Sequence, residues 1–408
     1  MLGLPSAVTY VNGRIVTPQG EARSIRVRKR ILAIDQPPQP GDQVVDLDGR
    51  FVLPGLINAH DHLELNHYGA LKGRERYGNA REWIDDLRPV IRDSVEIRDK
   101  SRINLADRLF IGGLKNLLAG VTTVAHHNPM YRAFGLHFPV HLVTRFGWAH
   151  SLGMEQGPVG AHGEPGGVVA DAAAATPVDR SFIVHAAEGV DACAGSEVDA
   201  LEASGVLRGN TVLVHGLAVS PERWHALFAR GVGLVWCPAS NLFLFGRTLC
   251  MPCVLASPGA AGRVCLGSDS RVTGSNDLLE ELRVAADAHV APDLLLRMVT
   301  TWAAQLLRLD DAGRLRVGAA ADLLVIPALA DAPAEALLRC HRSDVALVVR
   351  RGTPMVGEPA LRTAFDARRI HVRAIEVDGR VRVAQAALAR RIERCLIREP
   401  GVNTSGCA

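Results

Sequence analysis

The feature that most constrains the fold of this chain is an alternation of short apolar segments with helical segments through its middle part. Because continuously apolar strands are buried on both faces, they indicate a parallel sheet that is covered by helices. Over about 250 residues, this alternation predicts an α/β fold with a (β/α)8 barrel of the TIM type. The predicted strands are residues 121–125, 140–145, 182–187, 211–216, 233–237 and 264–267, and the predicted helices are residues 97–119, 196–203, 221–230, 276–288 and 292–307.

The alternation is interrupted between residues 153 and 181, where the sequence is rich in glycine, alanine and proline. No segment in this region has the apolar continuity of the other predicted strands, so a clean fourth strand cannot be placed. We therefore expect the barrel to be abbreviated or irregular around its fourth strand.

Strand-like segments also occur near both ends of the chain. The dipeptide Asn12-Gly13 lies between residues 8–11 and 14–17, and Asp378-Gly379 lies between Ile375 and Val381. Both dipeptides predict hairpin turns, because aspartate, asparagine and glycine tolerate the positive φ angles that such turns need. Since β segments lie at both termini, we expect them to form one small β-sandwich.

These patterns predict three segments along the chain. Residues 1–55 form the N-terminal part of the sandwich, residues 56–312 form the barrel, and residues 313–408 complete the sandwich. A helix near residues 384–397 is expected to follow the last strands.

Composition excludes several classes of partner. The 46 basic and 43 acidic residues give a net charge of +3 without a basic block, so no nucleic-acid partner is expected. The apolar stretches are shorter than the roughly 20 residues that span a bilayer, and no signal peptide is evident, so no membrane partner is expected. The eight scattered cysteines are typical of a reduced, cytoplasmic protein. Cys250 and Cys253 form a lone pair, for which we expect ordinary packing.

The strongest chemical signal is a strand that ends in two histidines, His60 and His62. Residues two apart in a strand point to the same face. At the carboxyl end of the first barrel strand, that face is the barrel mouth, where active sites form. Two imidazoles there can chelate a divalent metal, although two surface histidines after a turn would give the same pattern.

Later strands end in the same kind of residue. His185 ends one predicted strand and is followed three residues later by Glu188, His215 ends the next strand, and Asp269 ends the last. Each residue alone is more often a satisfied polar side chain than a ligand. Because the carboxyl ends of barrel strands converge at one mouth, the joint pattern predicts a metal site.

These residues lie in motifs that resemble the amidohydrolase superfamily, and within it the metal-dependent aminohydrolases. That branch includes cytosine, guanine and adenosine-type deaminases and triazine hydrolases. The resemblance covers essentially the whole chain and rests on PGLINAHDH (54–62), GVTTV (120–124), HAAE (185–188), VHG (214–216), CPASN (237–241), LGSD (266–269) and VGAAADLLV (317–325).

The resemblance implies a role for each matching residue. It implies that one divalent metal, Zn²⁺ or alternatively Fe²⁺, is held by His60, His62, His185 and Asp269. In addition, Asp269 accepts a proton from the attacking water, Glu188 is the proton shuttle, and His215 polarises the substrate. No lysine occurs between residues 116 and 408. A carbamylated lysine bridging two metals on a middle strand is therefore absent, which favours a mononuclear site.

Four further residues are predicted to contact the substrate, each with a structural alternative. His127 follows the second strand, but of the adjacent pair His126-His127 one side chain points away from the mouth. Asn241 lies in a motif that could equally cap a loop. Asn66 and Trp83 belong to a loop whose aromatic residues suit a flat ligand, or merely pack within the loop.

Together, these features predict a hydrolase that deaminates a small cyclic amidine, such as a purine, pyrimidine, pterin or triazine derivative. Chloride release from a triazine, or hydrolysis of a cyclic amide, would use the same site. A catalytically inactive barrel with a binding role is a third alternative, and the retained Glu188 argues against it. The resemblance also suggests a homodimer or larger homo-oligomer.

Overall fold

The computed structural model describes residues 7–135, 137–152 and 169–404. The N-terminal region contains seven strands: β1 (Val8–Val11), β2 (Arg14–Thr17), β3 (Gly20–Ala22), β4 (Ile25–Val27), β5 (Ile31–Ile34), β6 (Gln43–Asp46) and β7 (Phe51–Pro54). The central region contains β8 (Leu56–Asp61), β9 (Val121–His126), β10 (His141–Leu142), β11 (Phe146–Ala149), β12 (Ser181–Ala186), β13 (Thr211–His215), β14 (Gly233–Trp236) and β15 (Val264–Leu266).

The central helices are α1 (Ala80–Asp93), α2 (Val95–Arg102), α3 (Leu105–Leu118), α4 (Val169–Ala175), α5 (Ala192–Ala203), α6 (Pro221–Ala229), α7 (Pro238–Phe245), α8 (Met251–Leu255), α9 (Leu278–Asp287), α10 (Pro292–Met298) and α11 (Thr301–Leu306). The C-terminal region contains β16 (Leu323–Ile326), α12 (Pro333–Arg339), β17 (Leu347–Arg350), β18 (Thr353–Gly357), α13 (Thr363–Asp366), β19 (Val372–Val377), β20 (Arg380–Gln385), α14 (Ala386–Arg394) and β21 (Val402–Asn403). Two short 3₁₀ helices span Leu63–Leu65 and Pro359–Leu361.

The two chain ends share one sheet, as predicted. Its strand order is β21-β19-β20-β18-β17-β16-β7-β2-β3, and Leu324 of β16 lies opposite Leu53 of β7 in an antiparallel pair. A second sheet has the order β5-β4-β1-β6. One buried apolar cluster includes side chains of both sheets, among them Tyr10, Ile25 and Leu323. The residue limits of the three predicted domains stay a prediction.

The two predicted hairpin turns have different outcomes. At Asp378-Gly379, strands β19 and β20 pair directly with Val377 opposite Arg380, so this hairpin is confirmed. The prediction of a hairpin at Asn12-Gly13 is wrong, because the two flanking strands do not pair with each other. Strand β1 pairs with β4 and β6, whereas β2 pairs with β3 and β7. Asn12 does have a positive φ of 53°. Gly13, unlike Gly379, does not have a positive φ, so the turn lacks the geometry of a two-residue hairpin and carries the chain from one sheet to the other.

The central strands form a barrel of the TIM type, which confirms the predicted fold class. All their pairings are parallel, in the orders β10-β9-β8 and β11-β12-β13-β14-β15. The last strand adjoins the first, because the backbone N–H of Asp269 donates to the carbonyl of His60 at 3.1 Å. A Cβ atom on Gly267 would lie 2.6 Å from Cβ of His60, so glycine permits this close approach.

The barrel is irregular near its fourth strand, as expected, but the irregularity begins before residue 153. Strands β10 and β11 are separated by residues 143–145 alone, whereas neighbouring parallel strands need a crossover of about a dozen residues. They therefore form one interrupted pass of the chain, which pairs with β9 on one side and with β12 on the other. Of the segment that resisted assignment, residues 153–168 lie outside the described residues, and α4 and the start of β12 follow them.

Two predicted helices are each divided in the structure. The segment 97–119 contains a break at Asn104, whose side chain caps α3 by accepting from the backbone N–H of Asp107 at 2.9 Å. The segment 292–307 is divided into α10 and α11 at Thr300. Helical periodicity continues across such breaks, so it does not reveal them.

The structure corrects the expectation for Cys250 and Cys253, which form a disulfide with a Cα–Cα distance of 5.3 Å. Both cysteines lie at the surface. Among the residues that the structure describes, no helix has the length and apolar character needed to cross a membrane.

Candidate metal centre and active site

Four predicted metal ligands meet at the mouth of the barrel. His60 is on β8 and His62 follows it, while His185 is near the end of β12. The Nε2 atom of His185 lies 3.2 Å from Nε2 of His60 and 3.4 Å from Nε2 of His62. Oδ1 of Asp269, which follows β15, lies 3.8 Å from Nε2 of His60 and 3.9 Å from Nε2 of His62.

These distances fit one tetrahedral divalent cation. Four ligands at about 2.1 Å from a shared centre are separated by about 3.4 Å, and the observed separations of 3.2–3.9 Å bracket that value. Burial lowers the pKa values of His60 and His185 well below the usual range, and neighbouring histidines lower them further. Their imidazoles are therefore neutral near pH 7 and have a free lone pair for a metal.

Groups outside this set hold the histidine rings in place. Nδ1 of His185 lies 3.0 Å from the carbonyl oxygen of His150, which leaves Nε2 to face the other ligands. The amide of Asn128 lies 3.2 Å from Nδ1 of His62 and also contacts Glu64. The carbonyl partner of His185 is typical of metal-bound histidines, because it fixes the tautomer and the ring orientation.

Three hydrogen bonds fix the orientation of the Asp269 carboxylate. Ser240 and Thr273 donate their hydroxyls to Oδ2 at 3.0 and 2.9 Å, and the backbone N–H of Ser270 donates to Oδ1 at 2.7 Å. Burial acts to raise the pKa of Asp269, but the nearby His62 and His215 and these hydrogen bonds outweigh it and lower the pKa overall. Asp269 is thus an anion, as a ligand and proton acceptor must be.

Glu188 and His215 form a second group beside these ligands. Oε1 of Glu188 lies 3.5 Å from Nε2 of His215. Nδ1 of His215 lies 3.0 Å from Oδ1 of Asn241, so Asn241 fixes the His215 ring. Burial raises the pKa of Glu188 to about 7, against the opposing effect of His215. A carboxyl group with this pKa can both donate and accept a proton near neutral pH.

Three of the four predicted substrate residues are engaged by protein groups. Asn66 donates to Asp61 at 2.8 Å and accepts from Lys115 at 2.7 Å. Trp83 lies in α1 and not in the predicted loop, and its indole N–H donates to the carbonyl of Leu71 at 2.9 Å. These contacts, like that of Asn241 with His215, favour the structural alternatives over substrate contact.

The fourth predicted residue, His127, lies against the ligand cluster. Its ring centroid is 4.4 Å from that of His185, and its Nε2 lies 2.9 Å from the carbonyl of Ala149. His150 and Trp148 adjoin it, with ring centroids 5.8 and 5.5 Å away. His150 is not among the predicted site residues, because the third strand was predicted to end at residue 145. An apolar segment ending in histidine, Phe146 to His150, was the available signal.

Comparison with known proteins finds similarity to one family. The model of the amidohydrolase family matches residues 167–357. This segment contains His185, Glu188, His215 and Asp269. The chain is related to the amidohydrolases. That relationship confirms the resemblance carried by the sequence motifs.

Individual amidohydrolase relatives match over most of the chain. A 5-methylthioadenosine/S-adenosylhomocysteine deaminase of Natronomonas pharaonis is 26% identical over 377 residues, covering 79% of this chain and 84% of the relative. A triazine hydrolase variant superposes with a TM-score of 0.69 at 21% identity, covering 86% of this chain and 95% of that structure. A zinc-bound adenosine deaminase of Xanthomonas campestris superposes with a TM-score of 0.64 at 18% identity, covering 90% and 98%.

Proposed function

We propose that this protein is a metal-dependent aminohydrolase that releases ammonia from an amino-substituted heterocycle of the adenine type. The single observation that carries the proposal is the adjacency of two groups at one barrel mouth. His60, His62, His185 and Asp269 offer a tetrahedral donor set, and Glu188 with a pKa of about 7 lies beside it. The names of the deaminases among the relatives support the choice of reaction.

The chain's own residues divide the proton transfers of such a reaction. A divalent cation held by the four proposed ligands would lower the pKa of a water at its open position from 15.7 to about 7, and so would supply a nucleophile. Asp269, held anionic, accepts the proton that the water loses. Glu188, when protonated, donates to the ring nitrogen next to the carbon under attack. It then passes the proton that Asp269 accepted to the amino group, which leaves as ammonia. The Nδ1 of His215 donates to Oδ1 of Asn241, so its Nε2 can accept a hydrogen bond from the O–H that adds to this carbon.

The shape of the mouth favours a flat ligand. His150 and Trp148 lie with ring centroids 5.1 Å apart, beside His127. Aromatic and imidazole rings in such an arrangement offer faces and edges against which a planar heterocycle can pack. They support a purine-type substrate over an extended chain.

The decisive experiment is a screen of purified, zinc-loaded protein against aminopurines, their nucleosides, aminopyrimidines, pterins and chlorotriazines. Ammonia release from an adenine-type compound is the expected result. Chloride release from a chlorotriazine without ammonia release would instead establish the alternative chlorohydrolase activity. A cyclic-amide set tests the ring-opening alternative, and binding without any turnover would indicate the inactive barrel.

Metal content is measured on the same preparations. One equivalent of zinc or iron per chain is expected, since His60, His62 and Asp269 offer ligand atoms within 4.8 Å of one another and His185 adjoins the two histidines. Less than about a tenth of an equivalent after expression with added zinc would contradict the proposed site.

Cellular location and assembly are proposed from the sequence. We infer a cytoplasmic location from the scattered cysteines, and a homodimer or larger homo-oligomer from the resemblance. Light scattering on the purified protein measures the assembly, and a monomeric mass would contradict it.

A further inference from the structure

Beneath the proposed metal ligands lies a lysine that the reaction does not use. Lys115 is in the last turn of α3, and its side chain is fully buried. It is one of only four lysines in the chain. A buried ammonium group is costly unless charged and polar partners surround it. The groups that contact Lys115 therefore indicate the structural role of its charge.

The Nζ atom of Lys115 joins two segments that carry metal ligands. It lies 3.2 Å from Oδ2 of Asp61, the residue between His60 and His62. It also lies 3.3 Å from the backbone carbonyl oxygen of Asp269. One cation thus contacts the ligand segments at β8 and at β15, which are about two hundred residues apart in the sequence.

Asp61 is held on the side of β8 away from the histidine rings. Its Oδ1 accepts from Asn66 and its Oδ2 from Asn116, each at 2.8 Å. Asn66 in turn accepts from Lys115 at 2.7 Å. Adjacent residues of a strand point to opposite faces, so fixing Asp61 fixes the direction of His60 and His62.

Asp269 has a backbone conformation that needs support. Its φ angle is +51°, in the left-handed region that non-glycine residues rarely adopt. Lys115 donates to its carbonyl oxygen, and the hydroxyl of Ser268 does so at 3.0 Å. These bonds hold the turn that directs the Asp269 carboxylate towards the histidines.

Helix α3 is placed for this contact by a glycine. A Cβ atom on Gly112, one turn before Lys115, would lie 2.3 Å from the carbonyl oxygen of Leu63. The helix therefore presses directly against the turn that follows His62, and Lys115 on the same face reaches the space between the two ligand segments.

We propose that Lys115 is a positioning residue that sets the spacing of the proposed metal ligands by cross-linking β8 to the Asp269 turn. The proposal rests on the metal site of the proposed function, but not on the identity of the substrate. It assigns Lys115 no contact with metal or substrate. Its loss should therefore weaken metal binding through the geometry of other residues.

The test is a measurement of zinc affinity by competition with a chromophoric chelator. Lys115→Met is expected to bind zinc about 10- to 100-fold more weakly than the unmodified protein, the usual effect of losing a group that orients metal ligands. Circular dichroism and Tm of the metal-free proteins are measured in parallel. Lys100→Met, at a partly exposed lysine that bonds the carbonyl of Tyr68, is the matched control and is expected to bind zinc normally.

A paired variant separates positioning from mere charge balance and covers misfolding of the single variant. Lys115→Met with Asp61→Asn removes both charges and should recover the Tm of the metal-free protein, while zinc affinity stays low. Recovery of zinc affinity to within threefold would overturn the proposal, as would unchanged affinity in a folded Lys115→Met protein. Failure of the proposed function would look different: the unmodified protein would bind zinc but release no ammonia.

Discussion

Two carboxyl groups at the barrel mouth acquire opposite properties from their surroundings. Glu188 is buried with few donors, and its pKa rises to about 7. Asp269 is also buried, but three hydrogen bonds and two histidines lower its pKa below the usual value. Pairs of titratable groups with diverging pKa values divide acid and base roles between them. The residue scale therefore supports Glu188 as the proton donor and Asp269 as the acceptor.

Replacing Glu188 with glutamine tests the first role. Glutamine keeps the size of the side chain but has no proton to transfer, so kcat is expected to fall by about 10²- to 10⁴-fold. Zinc content should stay at one equivalent, because Glu188 is outside the donor set. Glu202→Gln, at an exposed residue of α5 that pairs with Arg223, is the control. Retained turnover in Glu188→Gln would exclude Glu188 as the shuttle.

The pH dependence of kcat/KM follows from the same group. The protonated form of Glu188 is the donor, and its pKa is about 7. The rate should therefore be high below pH 7 until other groups protonate, and should fall as pH rises through about 7. A stopped assay over pH 5–9 measures this limb. A rate that keeps rising to pH 9 would contradict the assignment.

At the scale of elements, the site depends on how closely neighbouring segments approach. The pass formed by β10 and β11 lies between β9 and β12, which brings His127 and His150 next to His185. Helix α3 approaches the turn after His62 with no room for a side chain at Gly112. Both arrangements result from packing, and neither can be inferred from the periodicity of a single segment.

Gly112→Ala tests the closeness of α3. The added methyl group would meet the backbone of Leu63, which cannot move aside as a flexible side chain would, so the free energy of unfolding should fall by about 1–3 kcal/mol. Urea unfolding followed by tryptophan fluorescence measures it. Gly195→Ala in α5 is the control: nothing lies within 4 Å of its Cβ, and a gain of about 0.4–1 kcal/mol is expected. Equal effects of the two substitutions would contradict the packing argument.

At the scale of the whole molecule, the C-terminal segment is fastened to the active-site region. Glu399 is fully buried and accepts from Arg271 at 2.6 Å and from Arg342 at 2.7 Å. Arg271 lies two residues after Asp269, in the same loop. Through Glu399, the last described segment of the chain therefore contacts the loop that contains the proposed metal ligand Asp269. Strand β21 of the sandwich begins three residues after Glu399.

Glu399→Ala tests this connection. It leaves two buried guanidinium groups without their shared carboxylate, so the free energy of unfolding should fall by about 3–5 kcal/mol. Glu393→Ala breaks the exposed pair of Glu393 with Arg373 and should cost about 0–1 kcal/mol. The same urea titration measures both variants. A loss below 1 kcal/mol for Glu399→Ala would show that the buried triad does not stabilise the fold.

The sequence by itself determined the barrel, the shared terminal sheet and the set of polar residues at the mouth. It did so because the carboxyl ends of parallel barrel strands all lie at the barrel mouth. A histidine or aspartate at the end of a strand is therefore placed at that mouth. His60, His62, His185, Glu188, His215 and Asp269 could all be selected in this way. Their catalytic roles stay predictions until the variants are measured.

Only the tertiary structure decided which residues support that set. Asn12-Gly13 and Asp378-Gly379 have the same local turn chemistry, yet one changes sheets and the other closes a hairpin, because pairing partners lie far away in the sequence. Lys115 likewise carries no local sign of its position between Asp61 and Asp269. Side-chain type and spacing indicate towards which face of a helix or strand each side chain points. The distances between elements depend on tertiary packing, which cannot be inferred from the sequence of a single segment.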